Sequence, residues 1–370
     1  MQLIFTVKRK IFILFLAITC IIILCAFHGF YFLRPEEGKV HVPMTLVLGY
    51  MRSGSSLTAD IIRCNHGDFY IFEPLHGLIE LSIKQNSPVR FLNGTRIRIA
   101  QDDRNINNMM ADMLYNWFTC DFRQIDLLSL SNEFIHIFTP EHDTYFNCLR
   151  GLRMKSALIR TIDKCLHILE ERCKIANSRI YKTIRLPMAS VSKLLERLPS
   201  LKVVHLIRDP RAILQSQLVE GLADKIKFSN ISNLTCTQMR NDVIDMKSLV
   251  VNYPGRLQRL VYENLAVHPI EVSKKLYNFL NARFDRNVEG FVNYLTTGPV
   301  SKCNYCTNRG NSSYNAFKWM KTIRPTYHRI VDQHCREIYR EIGYRQLSFY
   351  DLKSKKNTWN PNAYQRSVSL

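Results

Sequence analysis

Apolar runs alternate along the chain with segments whose apolar residues recur at helical spacing. The runs at 44–48 and 201–207 are the most continuous and predict two buried strands. Weaker runs predict further strands at 68–72, 179–185 and 256–262. Because helical segments separate these strands, we predict an α/β domain of three layers with a central, mostly parallel sheet.

Helical spacing also sets the predicted helices. They lie at 55–64, 152–174, 191–198, 269–280 and 326–343. One more helix is expected to open at Arg208 and to end near Glu220, because Asp209 suits an N-cap and Pro210 suits a first helical turn.

Residues 84–150 are less regular than the rest. They contain a polar run at 101–108 and amphipathic pieces at 109–118. We interpret them as a helical insertion that either shapes a substrate cleft or packs at the periphery of the domain.

The N-terminal segment decides the expected compartment. Residues 11–33 form an uncharged, mostly apolar stretch of 23 residues, which is long enough to span a bilayer. Three basic residues precede it and a single arginine follows closely, so the positive-inside rule places the first residues in the cytoplasm. A cleaved signal peptide is the alternative, but the stretch exceeds the usual apolar region and no small-x-small cleavage site follows. The predicted organisation is a cytoplasmic tail at 1–10, a type II transmembrane anchor at 11–33, a short stem at 34–43, a lumenal domain at 44–350 and a polar, disordered tail at 351–370.

Two features support a lumenal domain. N-glycosylation sequons begin at Asn93, Asn230, Asn233 and Asn311. Nine cysteines follow the anchor, and in an oxidising lumen most should pair; they are Cys64, Cys120, Cys148, Cys165, Cys173, Cys236, Cys303, Cys306 and Cys335. Cys165 and Cys173 are near enough in sequence to bridge locally, and the odd number leaves at least one cysteine free or intermolecular. Cys303 and Cys306 form a CxxC, but without a second CxxC or a histidine pair we favour disulfides over zinc.

The charge balance indicates which class of partner the protein binds. Lys and Arg outnumber Asp and Glu by 51 to 31, which gives a net charge of +20 and suits an anionic ligand, polymer or surface. Apart from the three basic residues before the anchor, no block of consecutive basic residues and no nucleic-acid-binding motif accompanies this charge, so a nucleic-acid partner is not expected.

A glycine-containing loop follows the first strand. Gly49 and Gly54 stand at the spacing of a phosphate-binding loop, and hydroxyl residues open the next helix. Ser55 occupies the place of the lysine that grips a nucleoside triphosphate, and the only cation is Arg52, inside the loop. The loop therefore predicts an anion site that is unsuited to ordinary ATP or GTP hydrolysis.

A second anion site is predicted at the end of the 201–207 strand. Arg208 lies at the sheet edge where α/β proteins bind ligands, and Ser216 lies about two turns into the following helix. Two anion sites at two strand ends indicate one ligand with phosphates at both ends of a nucleoside.

These segments carry a family resemblance. Tyr50-Met-Arg-Ser-Gly-Ser-Ser-Leu57 resembles the 5′-phosphosulfate loop of Golgi carbohydrate sulfotransferases, and the segment 204–216 resembles their 3′-phosphate motif. Phe72-Glu-Pro-Leu75 and Tyr262-Glu-Asn-Leu265 resemble segments of the branch that sulfates the 6-hydroxyl of Gal, GalNAc or GlcNAc. The resemblance implies a P-loop-like sulfotransferase fold and a Golgi type II membrane enzyme.

The resemblance also implies the ligands and their residues. The donor would be 3′-phosphoadenosine 5′-phosphosulfate (PAPS), the acceptor a glycan, and no metal would be required. The 5′ end would be held by the loop residues Arg52, Ser53, Gly54, Ser55, Ser56 and Leu57. Arg208 and Ser216 would hold the 3′-phosphate.

For the chemistry, Arg52 would stabilise the leaving phosphate and Glu73 would take the proton of the acceptor hydroxyl. His76 is the alternative base, and it stands where the family often has an aromatic residue, which bears on the acceptor. Arg185 and Arg309 are further cations that could reach the donor or an anionic acceptor.

Two other functions compete with this interpretation. A lumenal phosphoryl transferase would need a phosphate-gripping lysine and a metal-binding carboxylate, and the loop lacks that lysine. A non-catalytic protein could use the basic surface to bind acidic glycans. The sequence leaves a monomer and a homodimer open.

Overall fold

The structure, a computed structural model, describes residues 42–64, 67–83, 87–99, 103–153, 157–300, 307–308 and 310–353. Within these ranges no helix is both long enough and apolar enough to cross a membrane. The predicted tail at 1–10 and anchor at 11–33 lie outside the described residues.

The strands form one five-stranded sheet and a small hairpin. In chain order they are β1 (Met44–Leu48), β2 (Phe69–Phe72), β3 (Val89–Arg90), β4 (Arg96–Ile97), β5 (Arg179–Thr183), β6 (Leu201–Ile207) and β7 (Leu257–Val261). The sheet has the order β2-β5-β1-β6-β7 with parallel neighbours, and β3 pairs with β4 in the hairpin. The predicted parallel sheet is confirmed, with β1 at its centre.

Helices connect and cover the strands. They are α1 (Ser55–Ile62), α2 (His76–Ile83), α3 (Asp103–Phe118), α4 (Leu127–Leu130), α5 (Glu133–Ile137), α6 (Asp143–Arg153), α7 (Leu158–Lys174), α8 (Val191–Arg197), α9 (Pro210–Val219), α10 (Phe228–Asn252), α11 (Tyr262–Val267), α12 (Pro269–Leu280), α13 (Arg286–Thr297), α14 (Ser312–Phe317), α15 (Trp319–Thr322), α16 (Pro325–Cys335), α17 (Tyr339–Ile342) and α18 (Phe349–Lys353). Short 3₁₀ turns lie at Phe122–Gln124, Pro140–His142 and Met188–Ser190.

The core lies on both faces of the sheet. Because side chains alternate along a strand, β1 sends Val47 into one buried apolar cluster and Leu46 and Leu48 into the other. In β6, Val204 joins the first cluster and Val203 the second. A sheet buried on both faces is the middle layer of three, as predicted.

Some predicted helices have different bounds. The helix predicted at 152–174 is wrong as a single element, because Ala157 is extended and α7 begins after it, at Leu158. The helix predicted at 326–343 divides into α16 and α17, and Gly343, with φ of 86°, terminates the second. The tail predicted to be disordered includes the end of α18, where Leu352 is buried in the core.

The insertion at 84–150, which was predicted to be helical, is mainly helical from Asp103 onward but also contains the β3–β4 hairpin, which was not predicted. The described part of its polar run, from Asp103, and the amphipathic pieces at 109–118 form the single helix α3, one face of which is buried. The buried residues of this face include Met110, Met113, Leu114 and Trp117.

Three disulfides join described cysteines and correct the predicted local bridge. Cys165 pairs with Cys148, not with Cys173, and Cys173 pairs with Cys120. The third disulfide joins Cys236 of α10 to Cys335 of α16. Cys64 is free, and the predicted pairing of Cys303 and Cys306 lies outside the described residues.

Candidate active site

The candidate site lies at the carboxyl ends of the parallel strands, which meet at one edge of the sheet. Gly49 follows β1, Glu73 follows β2, Arg208 follows β6 and Tyr262 follows β7. Arg185 comes two residues after the end of β5. The residues predicted from separate stretches of sequence therefore come together in one place.

The glycine loop is closed by its own backbone. Ser53 donates its N–H to the carbonyl of Tyr50 at 3.0 Å, and the Tyr50 N–H donates to Ser53 Oγ at 3.1 Å. Gly54 then adopts φ of 94°, and α1 begins at Ser55. A Cβ on Gly54 would lie 2.3 Å from the Tyr262 ring, so both the backbone angle and the space require glycine.

The start of α1 is suited to an anion. Its first N–H groups have no partner within the helix, and the helix dipole adds positive potential there. Ser53 and Ser55 are buried and Ser56 is half-buried. Leu57 was predicted to help bind the 5′ end of PAPS. Its side chain packs into the core, so only its backbone is available for that role.

Two arginines join the two predicted phosphate sites. Arg52 donates from Nε to Ser216 Oγ at 3.1 Å and from Nη2 to Glu220 Oε1 at 3.0 Å. Arg208 donates from Nη1 to the Arg52 carbonyl at 2.8 Å. The two segments predicted to bind the 5′ and 3′ ends of the donor are thus in direct contact.

Arg208 also contacts an aromatic ring. Its guanidinium lies 4.4 Å from the centre of the Tyr262 ring. In the described part of the chain its buried Nε has no hydrogen-bond partner. An unpaired buried donor beside two serines and a helix start fits a ligand with phosphate groups.

The buried carboxyl group of Glu263 binds the backbone next to Arg208. Glu263 accepts from Tyr344 Oη at 2.5 Å and from the Asp209 N–H at 3.2 Å. Burial raises the pKa of Glu263 to about 7, although the charge of Arg208 opposes the shift. Asp209 also caps α9 through the Arg211 N–H, which confirms the predicted N-cap.

Glu73 is fixed by two cations on the other side of the loop. Only 1% of its surface is exposed, and its φ of 51° is unusual for a non-glycine residue. Lys182 lies 2.5 Å from Oε1 and Arg185 Nε lies 3.2 Å from Oε2. The Ile184 N–H donates to Oε2 at 3.4 Å. The Glu73 carboxylate thus has the cationic and amide partners that a buried carboxylate requires. The same side chain is the one predicted to act as the catalytic base.

Comparison with known proteins identifies the family. The profile described as "Sulfotransferase family" matches residues 43–286, about two thirds of the chain. The chain belongs to the sulfotransferase family. This membership confirms the resemblance in the sequence, and it makes sulfuryl transfer from PAPS the activity, rather than phosphoryl transfer or glycan binding alone.

Relatives of this sulfotransferase share most of its length. Carbohydrate sulfotransferase 1 of Danio rerio is 27% identical over 361 residues, which cover 86% of this chain and 81% of the relative. Carbohydrate sulfotransferase 3 of Homo sapiens is 22% identical over 345 residues, covering 81% of this chain and 67% of the relative. Among solved structures, the sulfotransferase domain of the Synechococcus PCC 7002 olefin synthase is similar at 18% identity and a TM-score of 0.42, covering 82% of this chain and 97% of that domain.

The alternative base predicted in this sulfotransferase, His76, lies beside Glu73 at the start of α2. Its ring stacks on Phe134 with the centroids 4.2 Å apart, and its Nδ1 lies 3.4 Å from the Asn132 amide. Burial, followed by the charge of Arg185, lowers the pKa of His76, so the imidazole is neutral at pH 7. Arg309 lies outside the described residues.

Sequence reasoning missed Lys182. This residue stands within the apolar strand β5 and is buried, with its ammonium 4.3 Å from the centre of the Phe72 ring. Burial lowers the pKa of Lys182, while the charge of Glu73 raises it. A lysine inside an otherwise apolar strand was the available signal, because buried lysines need a partner.

Sequence reasoning also missed a buried chain of hydrogen bonds behind the loop. Tyr50 Oη donates to Asp242 Oδ2 at 3.0 Å, so its oxygen accepts from His205 Nε2, also at 3.0 Å. Asp242 Oδ1 accepts from the Met188 N–H at 2.8 Å. Burial lowers the pKa of His205 to about 3 and raises that of Asp242 to about 6. These hydrogen bonds connect the glycine loop to β6 and to the segment after Arg185.

Within the described ranges no group of three or more histidine, cysteine, aspartate or glutamate side chains is placed to hold a metal.

Proposed function

We propose that this chain transfers the sulfuryl group of PAPS to the 6-hydroxyl of Gal, GalNAc or GlcNAc in a glycan. The observation that supports the proposal is the hydrogen bond from Arg208 to the backbone of Arg52, because it joins the two segments that were predicted to bind phosphate. A single nucleoside with phosphates at its 3′ and 5′ ends matches two such sites.

In the proposed complex the amides at the start of α1, with Ser55 and Ser56, bind the 5′-phosphate. Arg208 and Ser216 bind the 3′-phosphate. Arg52 exchanges its present contacts with Ser216 and Glu220 for the bridging oxygen of the donor, where it stabilises the charge that develops on the leaving phosphate. Since the donor ends in sulfate, the missing loop lysine is accounted for.

Transfer forms a bond from the acceptor oxygen to sulfur and breaks the bond from sulfur to the 5′-phosphate oxygen. The hydroxyl proton passes to Glu73 Oε2, and the leaving phosphate takes the electron pair. Lys182 fixes Oε1 at 2.5 Å, whereas the contacts of Oε2 are longer, at 3.2 and 3.4 Å. Oε2 is therefore the oxygen available to an incoming hydroxyl.

The acceptor assignment rests on relatives and on two short segments. The relatives are named carbohydrate sulfotransferases, and Glu73-Pro-Leu75 and Tyr262-Glu-Asn-Leu265 resemble the branch that modifies 6-hydroxyls. Asn264 replaces an acid of that branch and is half-buried on α11.

We further propose a single-pass type II protein of the Golgi membrane with a lumenal catalytic domain. The apolar stretch at 11–33 and its basic N-terminal flank support the orientation. The disulfides fit an oxidising compartment. All four sequon asparagines are exposed, as acceptors of N-glycans must be: Asn93, Asn230, Asn233 and Asn311.

The test uses the full chain in detergent with labelled PAPS and a panel of desulfated glycans, followed by mapping of the sulfated carbon. Thermal unfolding is measured with PAP, the 3′,5′-bisphosphate product, and with Mg-ATP. We expect PAP to stabilise the protein and Arg208→Ala to lose that stabilisation and the transfer. Arg240→Ala is the matched control, because Arg240 is an exposed arginine paired with Glu337. Stabilisation by Mg-ATP alone, or full transfer by Arg208→Ala, would contradict the proposal.

A further inference from the structure

The ring of His76 is held in place by the insertion. It stacks on Phe134 of α5, with the ring centroids 4.2 Å apart and the ring planes 25° apart. Its Nδ1 lies 3.4 Å from Nδ2 of Asn132, the residue that caps the start of α5. The plane of the imidazole and the direction of its Nδ1 edge are therefore both set by α5.

Asn132 also sets the tautomer of His76. The Oδ1 atom of Asn132 accepts the Phe134 N–H at 2.9 Å, so the amide group is oriented with its Nδ2 toward the His76 ring. An amide nitrogen only donates hydrogen bonds, and His76 Nδ1 must therefore accept. We assign the proton of the neutral imidazole to Nε2 for this reason.

The surroundings of the ring keep the imidazole neutral. Burial is the largest cause of the lowered pKa of His76, and the charge of Arg185 lowers that pKa further. The charges of Glu73 and Glu80 oppose the shift but do not reverse it. At neutral pH His76 is thus a hydrogen-bond donor through Nε2 and not an acceptor there.

The Nε2–H group of His76 is available to a ligand. No residue in the described part of the chain accepts a hydrogen bond from it, and the nitrogen is not buried. The same ring is half-buried as a whole, because its other edge and one face are covered by α5. The single polar group that the ring presents to the site is therefore this N–H.

This donor lies beside the carboxylate that is proposed to act as the base. The His76 backbone N–H donates to the Glu73 carbonyl at 2.9 Å. Arg185 Nε lies 3.2 Å from Glu73 Oε2, and the charge of Arg185 also acts on the imidazole. The site thus offers a carboxylate that accepts and an N–H that donates. Two oxygens of one sugar match this pair, because a hydroxyl group both donates and accepts.

We propose that His76 Nε2–H donates a hydrogen bond to an oxygen of the acceptor sugar next to the reacting hydroxyl, and so selects the pose in which that hydroxyl faces Glu73. Asn132 is a positioning residue, since it acts through His76 by fixing the tautomer. This inference rests on the proposed function.

The same tautomer excludes His76 as the base. A base at Nε2 needs a lone pair on that nitrogen. In the assigned tautomer the lone pair lies on Nδ1 and faces the Asn132 amide. The two candidate residues of the acceptor site therefore have different roles: Glu73 takes the proton, and His76 orients the sugar.

The first test separates the N–H from the ring. Full-length variants in detergent are assayed with labelled PAPS and with N-acetyllactosamine and desulfated chondroitin as acceptors. His76→Phe keeps a ring on Phe134 without an N–H, whereas His76→Gln keeps a side-chain N–H. We expect the KM of the acceptor to rise about fivefold in His76→Phe, as for the loss of one neutral hydrogen bond, and by less than about twofold in His76→Gln. The KM of PAPS should not change in either variant.

The second test reverses the tautomer. Aspartate also caps helices, but in Asn132→Asp the carboxylate accepts Nδ1–H, which leaves the lone pair of the neutral ring on Nε2. At about pH 8.5 the acceptor KM of Asn132→Asp should be about fivefold above that of the wild type. At about pH 6 the carboxylate favours the imidazolium, which carries both protons, and the two KM values should agree. The matched control is Asn132→Asp/His76→Gln, whose acceptor KM relative to His76→Gln should not depend on pH.

NMR of the imidazole nitrogens reports the tautomer without any acceptor, and loss of the signal in His76→Gln assigns it. We expect the proton on Nε2 in the wild type and on Nδ1 in Asn132→Asp at about pH 8.5. A wild-type ring protonated on Nδ1 would overturn the inference. So would an unchanged acceptor KM in His76→Phe, a rise in the KM of PAPS instead, or a pH-dependent recovery that persists without the imidazole.

The outcomes also separate this inference from the proposed function. If the wild type sulfates no glycan, the proposed function fails and the role of His76 fails with it, whatever the tautomer. If the wild type transfers sulfate but carries the proton on Nδ1, only the inference about His76 and Asn132 fails.

Discussion

Replacing Gly54 with alanine tests how the donor loop is joined to the second phosphate site. Gly54 has φ of 94°, and an added Cβ would lie 2.3 and 2.4 Å from two carbons of the Tyr262 ring. The same ring lies under the guanidinium of Arg208. The substitution should therefore strain the loop and displace the support of Arg208.

The cost has two parts. An L-residue in the left-handed region costs about 1 kcal/mol, and overpacking a filled position costs about 2 kcal/mol more. The entropy of unfolding is about 2.1 cal/mol/K per residue, or about 0.65 kcal/mol/K for the roughly 310 residues from 42 to 353. A loss of about 3 kcal/mol then lowers the melting temperature by about 5 °C.

The assay is thermal unfolding of the full chain in detergent, with and without PAP. Gly255→Ala is the matched control, because Gly255 has φ of 73° but open space around its Cβ position. It should cost about 1 kcal/mol, or about 2 °C, without changing PAP binding. On a Tyr262→Ala background, Gly54→Ala should also cost about 1 kcal/mol, since the ring is gone.

Equal losses for Gly54→Ala and Gly255→Ala would refute the reasoning, because backbone strain alone would then explain both. A cost of Gly54→Ala that is unchanged by Tyr262→Ala would likewise show that the ring does not fill this space.

Three further predictions address titration, cross-linking and catalysis. In the folded protein the pKa of Glu263 is raised to about 7, so its contribution to the free energy of unfolding is complete below pH of about 4.5 and is lost as the pH rises through 7. In urea unfolding, the free energy of unfolding of the wild type should therefore fall by up to about 3 kcal/mol relative to that of Glu263→Gln between about pH 4.5 and about 7.5. Removing the Cys236–Cys335 disulfide with a double alanine variant should lower the free energy of unfolding by about 4 kcal/mol in non-reducing urea, because the bond spans 99 residues. Glu73→Gln should lower kcat by about 10²–10⁴ with PAP affinity unchanged, and His76→Gln by less than about tenfold; the reverse order would identify His76 as the base.

Several features of the site were predictable because their chemistry is local. The apolar runs gave β1 and β6, and the strand ends placed Gly49 and Arg208 at one sheet edge. Asp209 was expected as an N-cap from its position before Pro210, and the structure shows that cap. Such signals depend on residues a few positions apart, where propensity and spacing act directly.

Other features depend on segments far apart in the chain. The sequence placed Glu73 at the end of β2, but only the strand order β2-β5-β1 puts Lys182 against it, since neither strand's composition determines its neighbour. Disulfide partners were misjudged for the same reason, because Cys165 is nearer in sequence to Cys173 than to Cys148, with which it pairs.

The sequence by itself thus predicted two phosphate-binding segments and an anchor, and it determined the order of the five strands of the sheet along the chain. Only the tertiary structure decided that Tyr262 lies between Gly54 and Arg208, and that Lys182 contacts Glu73. The physical reason is that register and packing arise from contacts between distant segments, which local hydrophobic patterns do not encode.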